Sequence, residues 1–362
     1  VKMKVAVVLG TRPEIIKMAS IIRQLGKRQV DYFILHTGQH YSYYLAQVFF
    51  DQLKLPPAKY NVATGSSSHA RQTAKMLIGV EEILQKESPD IVLIEGDTNS
   101  VLAAALAATK LFIKVGHVEA GLRSYDRRMP EEINRILVDH CSDYLFAPTH
   151  MAKTILLSEG IPENKVFVTG NTIVDAVYQH VEIARQQGNF LGTLGIKPKE
   201  YFLVTLHRQE TVDDPVVFAS VLRGLDEVAA KFCLPVIYSI HPRSRRRMNQ
   251  FNLKPRDIKL IPPVDFLTFL ELESKARLVL TDSGGVQEET CILGVPCVTI
   301  RNNTERPETV EVGSNIVAGT SPDRIIECVT IMLGRRTDWQ NPFGDGRAGE
   351  RIVSIITEVS NG

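Results

Sequence analysis

The sequence predicts an α/β protein built from two Rossmann-like domains with parallel sheets. Three observations carry this. The chain has 362 residues, more than one ordinary core accommodates. Short apolar runs rich in β-branched residues alternate with longer stretches of helical period, the signature of parallel strands joined by crossover helices. Almost every such run ends in polar residues, and in open α/β sheets ligands bind beyond the carboxyl ends of the strands.

Strands are expected near 4–9, 31–36, 90–95, 113–118, 143–147 and 165–168 in the first half. In the second half they fall near 201–206, 235–240, 258–261, 277–281 and 296–300. Gln186 to Glu200 carries Gly, Pro and charge without periodicity, so the domain change is placed between about 170 and 200. A last helix near 347–359 aligns Ile352, Ile355, Ile356 and Val359 on one face and must pack on something.

With 44% hydrophobic and 23% charged residues the composition is that of a soluble globular protein. A net charge of +1 argues against nucleic acid or an anionic membrane as partner. Arg243 to Arg247 (RSRRR) is short and lacks interleaved aromatics, so it reads as a solvated helix face. The five cysteines are scattered without metal-ligand spacing, which fits a reducing cytoplasm better than a disulfide framework. Val5 to Leu9, after Lys2 and Lys4, is too short for the apolar core of a signal sequence. Lys110 and Lys114 break the tract Leu102 to Val115, so no transmembrane span is expected.

The most informative stretch is RLVLTDSGGVQEE, Arg277 to Glu289. A buried strand runs into a tight turn at Asp282, Ser283, Gly284 and Gly285, and a helix follows. The glycines allow close backbone approach, and the helix start offers unpaired N–H groups suited to a phosphate. Two glutamates so close to an anion are expected to face sugar hydroxyls instead. The plainer alternative is a capped turn with Ser283 as N-cap and acidic residues complementing the helix dipole.

Other strand ends carry Gly10-Thr-Arg-Pro-Glu14, His36-Thr-Gly-Gln-His40, Glu95-Gly-Asp-Thr98 and His117-Val-Glu-Ala-Gly121. The second half adds His207-Arg208, His241-Pro-Arg243 and Arg301 to Arg306. Together VVLGTRPEIIKM, GDTNS, HVEAGLRS, MPEEINR, TLHRQE, DSGGVQEE and RNNTERPE resemble the non-hydrolysing UDP-N-acetylglucosamine 2-epimerases, in that family's order, from about residue 3 to 320. The resemblance implies the GT-B arrangement, two such domains facing a central cleft. It divides the chain into 1–172, with a C-terminal helix 346–362 crossing back to that domain, and a UDP-binding domain 173–345. It further implies interconversion of UDP-N-acetylglucosamine and UDP-N-acetylmannosamine by a cytoplasmic homodimer, with no cofactor and no metal.

The same resemblance implies the site. Asp97, Glu119 and Glu131 are its acid–base carboxylates, with His207 as a further catalytic group against the leaving diphosphate. Arg12, Ser283 and Arg306 are expected on the diphosphate and ribose, and Glu289 on the ribose hydroxyls. From the residues themselves, Lys17, Arg135, Arg208, Gly284 and Gly285 are further expected substrate contacts. His241 and Arg243, on the same predicted edge, are open between a substrate contact and a structural role in a loop. Gln39, His40, Arg71 and Gln72 match parts of a neighbourhood where some bacterial relatives hold a second, activating substrate molecule, although Ser42 departs from that pattern. Each residue also has a structural alternative. Asp97 could cap the helix from Thr98, Glu131 suits an ordinary acidic helix start, Arg135 could pair with Glu131, and Lys17 could lie on a solvated face. An unpaired Glu119 within an apolar tract is harder to explain structurally. The rival functions are a hydrolysing epimerase, a glycosyltransferase on the same fold, and a catalytically silent nucleotide-sugar sensor.

Overall fold

The computed structural model describes residues 3–39, 43–186 and 190–359. The chain forms two compact units, Val1–Ala176 with Phe343–Gly362, and Val177–Pro342. Each is a twisted parallel sheet covered by helices, as the alternation predicts.

The first unit contains β1 (Lys4–Leu9), β2 (Asp31–His36), β3 (Tyr60–Asn61), β4 (Ile91–Glu95), β5 (Lys114–Val118), β6 (Tyr144–Ala147) and β7 (Val166–Val168). Their spatial order is β3-β2-β1-β4-β5-β6-β7, with every pair parallel. Residues Val5 to Leu9 and Ile91 to Glu95 are buried throughout, because helices cover both faces of the sheet. The helix Arg12–Lys27 starts at the β1 end with Pro13 in its first turn, where a missing N–H costs nothing. Its Ile15, Ile16, Met18, Ala19, Ile22 and Leu25 are buried at helical spacing.

The second unit contains β8 (Phe202–Thr205), β9 (Val236–Ser239), β10 (Ile258–Ile261), β11 (Leu278–Thr281), β12 (Cys297–Thr299) and β13 (Asn315–Val317). The order β10-β9-β8-β11-β12-β13 repeats the plan of the first sheet. In both, the strand order reverses about the first strand, between β1 and β4 and between β8 and β11. That reversal is where such sheets open a crevice for a ligand.

Three features depart from the sequence-based expectation. Strands β3 and β13 are additional edge strands of two and three residues, too short to leave a period. The stretch expected to be irregular after Gln186 contains a short helix, Phe190–Leu194, whose Leu191 joins the core of the second unit. The last helix, Ala348–Val359, buries Ile352, Val353 and Ile356, with Ile355 only partly covered. It packs on the helix Arg12–Lys27, within the first unit. Asp175 accepts hydrogen bonds from the Ala348 and Gly349 N–H groups at 3.1 and 3.0 Å, supplying from elsewhere the cap this helix start needs. No helix among the described residues is long and apolar enough to cross a membrane.

Candidate active site

In the first unit the predicted residues gather at the carboxyl ends of β1, β4 and β5. Asp97 follows β4. Its carboxylate pairs with Arg135, and Asn134 donates to its backbone carbonyl at 2.8 Å. Both partners lie on the helix Pro130–Cys141, so the MPEEINR segment holds the GDT turn. Asp97 is not a helix cap: Thr98 occupies that position, and Asp97 is turned towards the guanidinium. Arg135 pairs with Asp97 and, at 2.9 Å, with Glu132. The alternative pairing with Glu131 is therefore incorrect. Glu132 instead accepts from the Ser124 and Tyr125 N–H groups and pins the loop before this helix. Glu131, one residue earlier, is half-buried, and among the described residues no hydrogen bond ties its side chain down.

Glu119 follows β5 in a left-handed backbone conformation, φ 70°, which is costly for a side chain with a Cβ. Two residues on, Gly121 is also left-handed, and a Cβ there would come within 2.5 Å of the Ala152 carbonyl oxygen, so only glycine fits. The turn thus aims Glu119 inward, where it is buried against Lys17. Lys17 is no solvated face residue. It is 8% exposed, touches Glu119, and lies 3.0 Å from Glu95. Glu14 completes the cluster, accepting from the Gly10 N–H and from the Thr98 and Thr11 hydroxyls. Burial pushes its carboxyl up to about 7 despite those donors. Burial also pushes Glu95 well above the usual range; Lys17 opposes the rise, and Glu119 and Glu14 add to it.

His117, at the end of β5, joins these turns. Its Nδ1 lies 2.7 Å from Asp139 and its Nε2 2.8 Å from the Gly96 carbonyl oxygen. Asp139 also receives the Gly121 N–H and pairs with Arg123. Arg12, at the helix start beyond β1, is half-buried with its guanidinium over the Phe49 ring.

The residues matched to a second ligand divide. Gln39 and Gln72 are buried in one polar network, with Gln39 accepting from Ser100 Oγ at 2.7 Å and Gln72 from Asn99 at 2.9 Å. Arg71 is exposed, and His40 and Ser42 lie outside the described residues.

In the second unit the strand ends bring cations together. His207 and Arg208 follow β8, and both backbone N–H groups donate to Asp282, which follows β11. His207 Nδ1 lies 3.3 Å from the same carboxylate. Burial opposes ionisation of Asp282, but His207 and those two N–H groups outweigh it and hold the carboxyl below the usual range. Arg208 pairs with Glu305 at 3.0 Å, and Glu305 also binds Arg301 at 2.6 Å. Arg306 pairs with Glu288 at 2.7 Å.

Ser283 sits at the N-cap of the helix Gly284–Leu293, as the plainer alternative has it, but its side chain makes no capping bond and no acidic residue lies in the first turn. Glu288 does not face a sugar, contrary to the expectation for both glutamates; it is fully buried on Arg306. Glu289 is partly exposed and stands beside Glu273, a fully buried carboxyl that burial and Glu289 push well above the usual range. His241 caps the helix Pro242–Gln250 by accepting from the Arg243 N–H, and its ring lies 5.7 Å from that of His207. Arg243 and Arg247 both pair with Asp213, and Arg245 and Arg246 are exposed, in keeping with a solvated helix face. No group of three or more potential metal ligands occurs among the described residues.

Sequence reasoning missed the acids that organise these cations, Asp282, Glu288 and Glu305, and the buried Glu95 and His117. Their signal was present, since each lies in a strand-end motif. The pairing partners, though, are distant along the chain.

The sequence profile of the UDP-N-acetylglucosamine 2-epimerase family matches residues 23–357. The UDP-N-acetylglucosamine 2-epimerase of Methanocaldococcus jannaschii is 54% identical over 363 aligned residues, covering 98% of this chain and 99% of that protein. The crystal structure of the Methanocaldococcus jannaschii UDP-GlcNAc 2-epimerase in complex with UDP-GlcNAc and UDP superposes with a TM-score of 0.93, covering 98% of this chain and 100% of that one. A UDP-2,3-diacetamido-2,3-dideoxy-D-glucuronate 2-epimerase of Pseudomonas aeruginosa is 38% identical over 99% of this chain and its own full length. With two parallel sheets, acids at the ends of β4 and β5, cations at the ends of β8 and β12, and a profile match along most of its length, this chain belongs to the UDP-N-acetylglucosamine 2-epimerase family.

Proposed function

We propose that this protein interconverts UDP-N-acetylglucosamine and UDP-N-acetylmannosamine, eliminating UDP to give a 2-acetamidoglucal and then adding it back. Inverting C2 means removing a proton that no adjacent carbonyl acidifies, so loss of the C2 proton is coupled to departure of UDP from C1. Such a reaction needs carboxyl groups that exchange protons near C2 and cations that hold the leaving diphosphate. The observation that carries the reading is the division of these two demands between the two switch points. Asp97 and Glu119 stand at the ends of β4 and β5, while His207, Arg208 and Arg306 stand at the ends of β8 and β12.

In this reading Asp97, steered by Arg135, and Glu119, steered by Lys17, are acid–base groups together with Glu131, whose side chain is the least constrained of the three. Arg306, Arg208 and His207 balance the charge growing on UDP, supported by the Gly284–Gly285 helix start and by Arg12. Glu289 takes the ribose hydroxyls, with Ser283, His241 and Arg243 along the same edge. The choice of an acetamido-hexose over the diacetamido-uronate named for the Pseudomonas relative follows the higher identity to the Methanocaldococcus enzyme. Supply of an activated sugar for surface polysaccharide or glycan, residence in the cytoplasm and assembly as a homodimer belong to the same proposal.

Incubation with UDP-N-acetylglucosamine in heavy water tests it. The expected result is deuterium at C2 with the nucleotide still attached. Free N-acetylmannosamine and UDP would indicate a hydrolysing enzyme, and absence of exchange would indicate a nucleotide-sugar sensor. Exchange only with the diacetamido-uronate would redirect the substrate assignment.

A further inference from the structure

Four ionisable groups fill the interior behind the ends of β1, β4 and β5: Glu14, Lys17, Glu95 and Glu119, all buried. Lys17 Nζ lies 3.0 Å from Glu95 Oε1 and also contacts Glu119 Oε2. One ammonium therefore stands between two carboxyls, with Glu14 close enough to act on Glu95 through its charge. Full ionisation of all four would leave a surplus of buried negative charge, which costs far more than binding a proton. The cluster thus carries additional protons near neutral pH. Glu95 itself is 2% exposed and faces the interior, and the reaction as described gives it no task.

Inversion at C2 creates a need for such a group. The base on one face of the sugar ends the turnover protonated, and the acid on the other face ends it deprotonated. Before the next turnover in the same direction, both must be reset. We propose that Glu95 is the proton store that resets Glu119, acting as a positioning residue through the Lys17 ammonium; this rests on Glu119 being an acid–base group. When Glu119 is left as a carboxylate, a Lys17 N–H bond breaks as an O–H bond forms on Glu119 Oε2. The Glu95 O–H bond then breaks and its proton restores the ammonium. The cluster's charge is unchanged by the transfer, and solvent later returns a proton to Glu95. When Glu119 is left protonated, the same steps run backwards once Glu95 has released its proton to solvent, since only a Glu95 carboxylate can accept the proton that Lys17 passes on.

Glu95→Gln keeps size and shape but holds no exchangeable acid proton. The expected result is a kcat lowered about 10–100-fold, at or below the lower end of acid–base losses, with KM and UDP affinity unchanged. Glu95→Asp, which retains the acid, should recover most of kcat. A wild-type kcat in Glu95→Gln overturns the proposal, and so does an aspartate variant that is folded and equally slow, because shape alone would then explain the loss. If Glu95→Gln does not fold, Lys17→Arg decides: arginine keeps the charge but does not release its proton, so kcat should fall with KM unchanged, and wild-type kcat would overturn the relay. Glu119→Gln, measured alongside, separates the two ideas. Full activity in that variant removes Glu119 from the chemistry, whereas an inactive Glu119→Gln beside a fully active Glu95→Gln removes the proton store alone.

Discussion

The two sheets share a strand order, but the acids grouped at their strand ends differ in their partners. In the first unit, Glu95 and Glu119 share the single Lys17 ammonium, Glu14 acts on Glu95 through its charge, and burial pushes Glu14 and Glu95 towards protonation at neutral pH. In the second, Asp282, Glu305 and Glu288 are buried too, yet each is matched by a cation or by backbone N–H groups. Asp282 is consequently held in the ionised form. Burial is common to both sets, so what separates them is the supply of positive partners. Glu14 and Glu95, buried with little positive charge to balance them, can take up protons, whereas Asp282, Glu288 and Glu305 order the cations and N–H groups beside them. The first arrangement suits chemistry at carbon, and the second suits an anion grip.

The sharpest way to break this division is Asp97→Asn. Turnover should fall by roughly 10²–10⁴-fold, the range for losing an acid–base group, while UDP affinity measured by calorimetry stays near wild type. Near-normal turnover would remove Asp97 from the chemistry. Arg306→Ala should do the reverse, weakening UDP binding by at least about tenfold and up to a thousandfold, because a charge pair on the ligand is lost and Glu288 is left buried without its guanidinium. Unchanged UDP affinity would show that the second unit's cations serve the fold alone.

A difference in pH response sharpens the comparison further. Glu14 has a folded-state value of about 7 against 4.5 unfolded, so the folded protein binds more protons than the unfolded chain between those values. The stability this group contributes is complete below about 4.5 and is lost as pH rises through about 7. The expected loss is about 3 kcal/mol, since each pH unit separating the two values is worth about 1.36 kcal/mol. Denaturant melts of wild type and Glu14→Gln across pH 4–8 should therefore diverge mostly within that window. Parallel curves would mean that the Gly10, Thr11 and Thr98 donors keep Glu14 ionised.

How far these groups could be read beforehand follows from the kind of signal each leaves. Strand β1 is a run of buried aliphatic residues from Val5 to Leu9, and it emerged with its full length. Strands β3 and β13 sit at sheet edges and are too short for any period to register. Asp97, Glu119 and Ser283 stood out as polar residues in strand-end motifs. What could not be read was which acid meets which base. Lys17 and Glu119 are 102 residues apart, Arg208 and Glu305 97, and His207 and Asp282 75. Only the sheet order brings them together. Glu131, Glu132 and Arg135 show the same limit at short range, since helix spacing allows Arg135 to meet either glutamate and the loop at Ser124 and Tyr125 decides for Glu132.

The smallest predicted effect concerns two adjacent glycines in the second unit. A Cβ on Gly284 would come within 2.6 Å of Glu305 Oε1. A free glutamate could swing aside, but Glu305 is 1% exposed and is held by Arg208 and Arg301, so any shift disturbs both guanidiniums. Gly284→Ala should therefore cost about 1–3 kcal/mol, the usual range for overpacking, and weaken UDP binding through Arg208. At Gly285 the nearest atom to such a Cβ is Ser283 Oγ at 4.0 Å, and the residue lies in the first turn of a helix. Gly285→Ala should leave stability unchanged or raise it by up to about 1 kcal/mol through helix propensity. If it nevertheless weakens UDP binding, the backbone at 285 lies against the ligand. Chemical denaturation and UDP titration of the pair thus separate a glycine needed to keep the acid–cation lattice closed from one needed for a bare approach to the nucleotide. Equal stability losses in both variants would mean that the lattice around Glu305 does not set the grip.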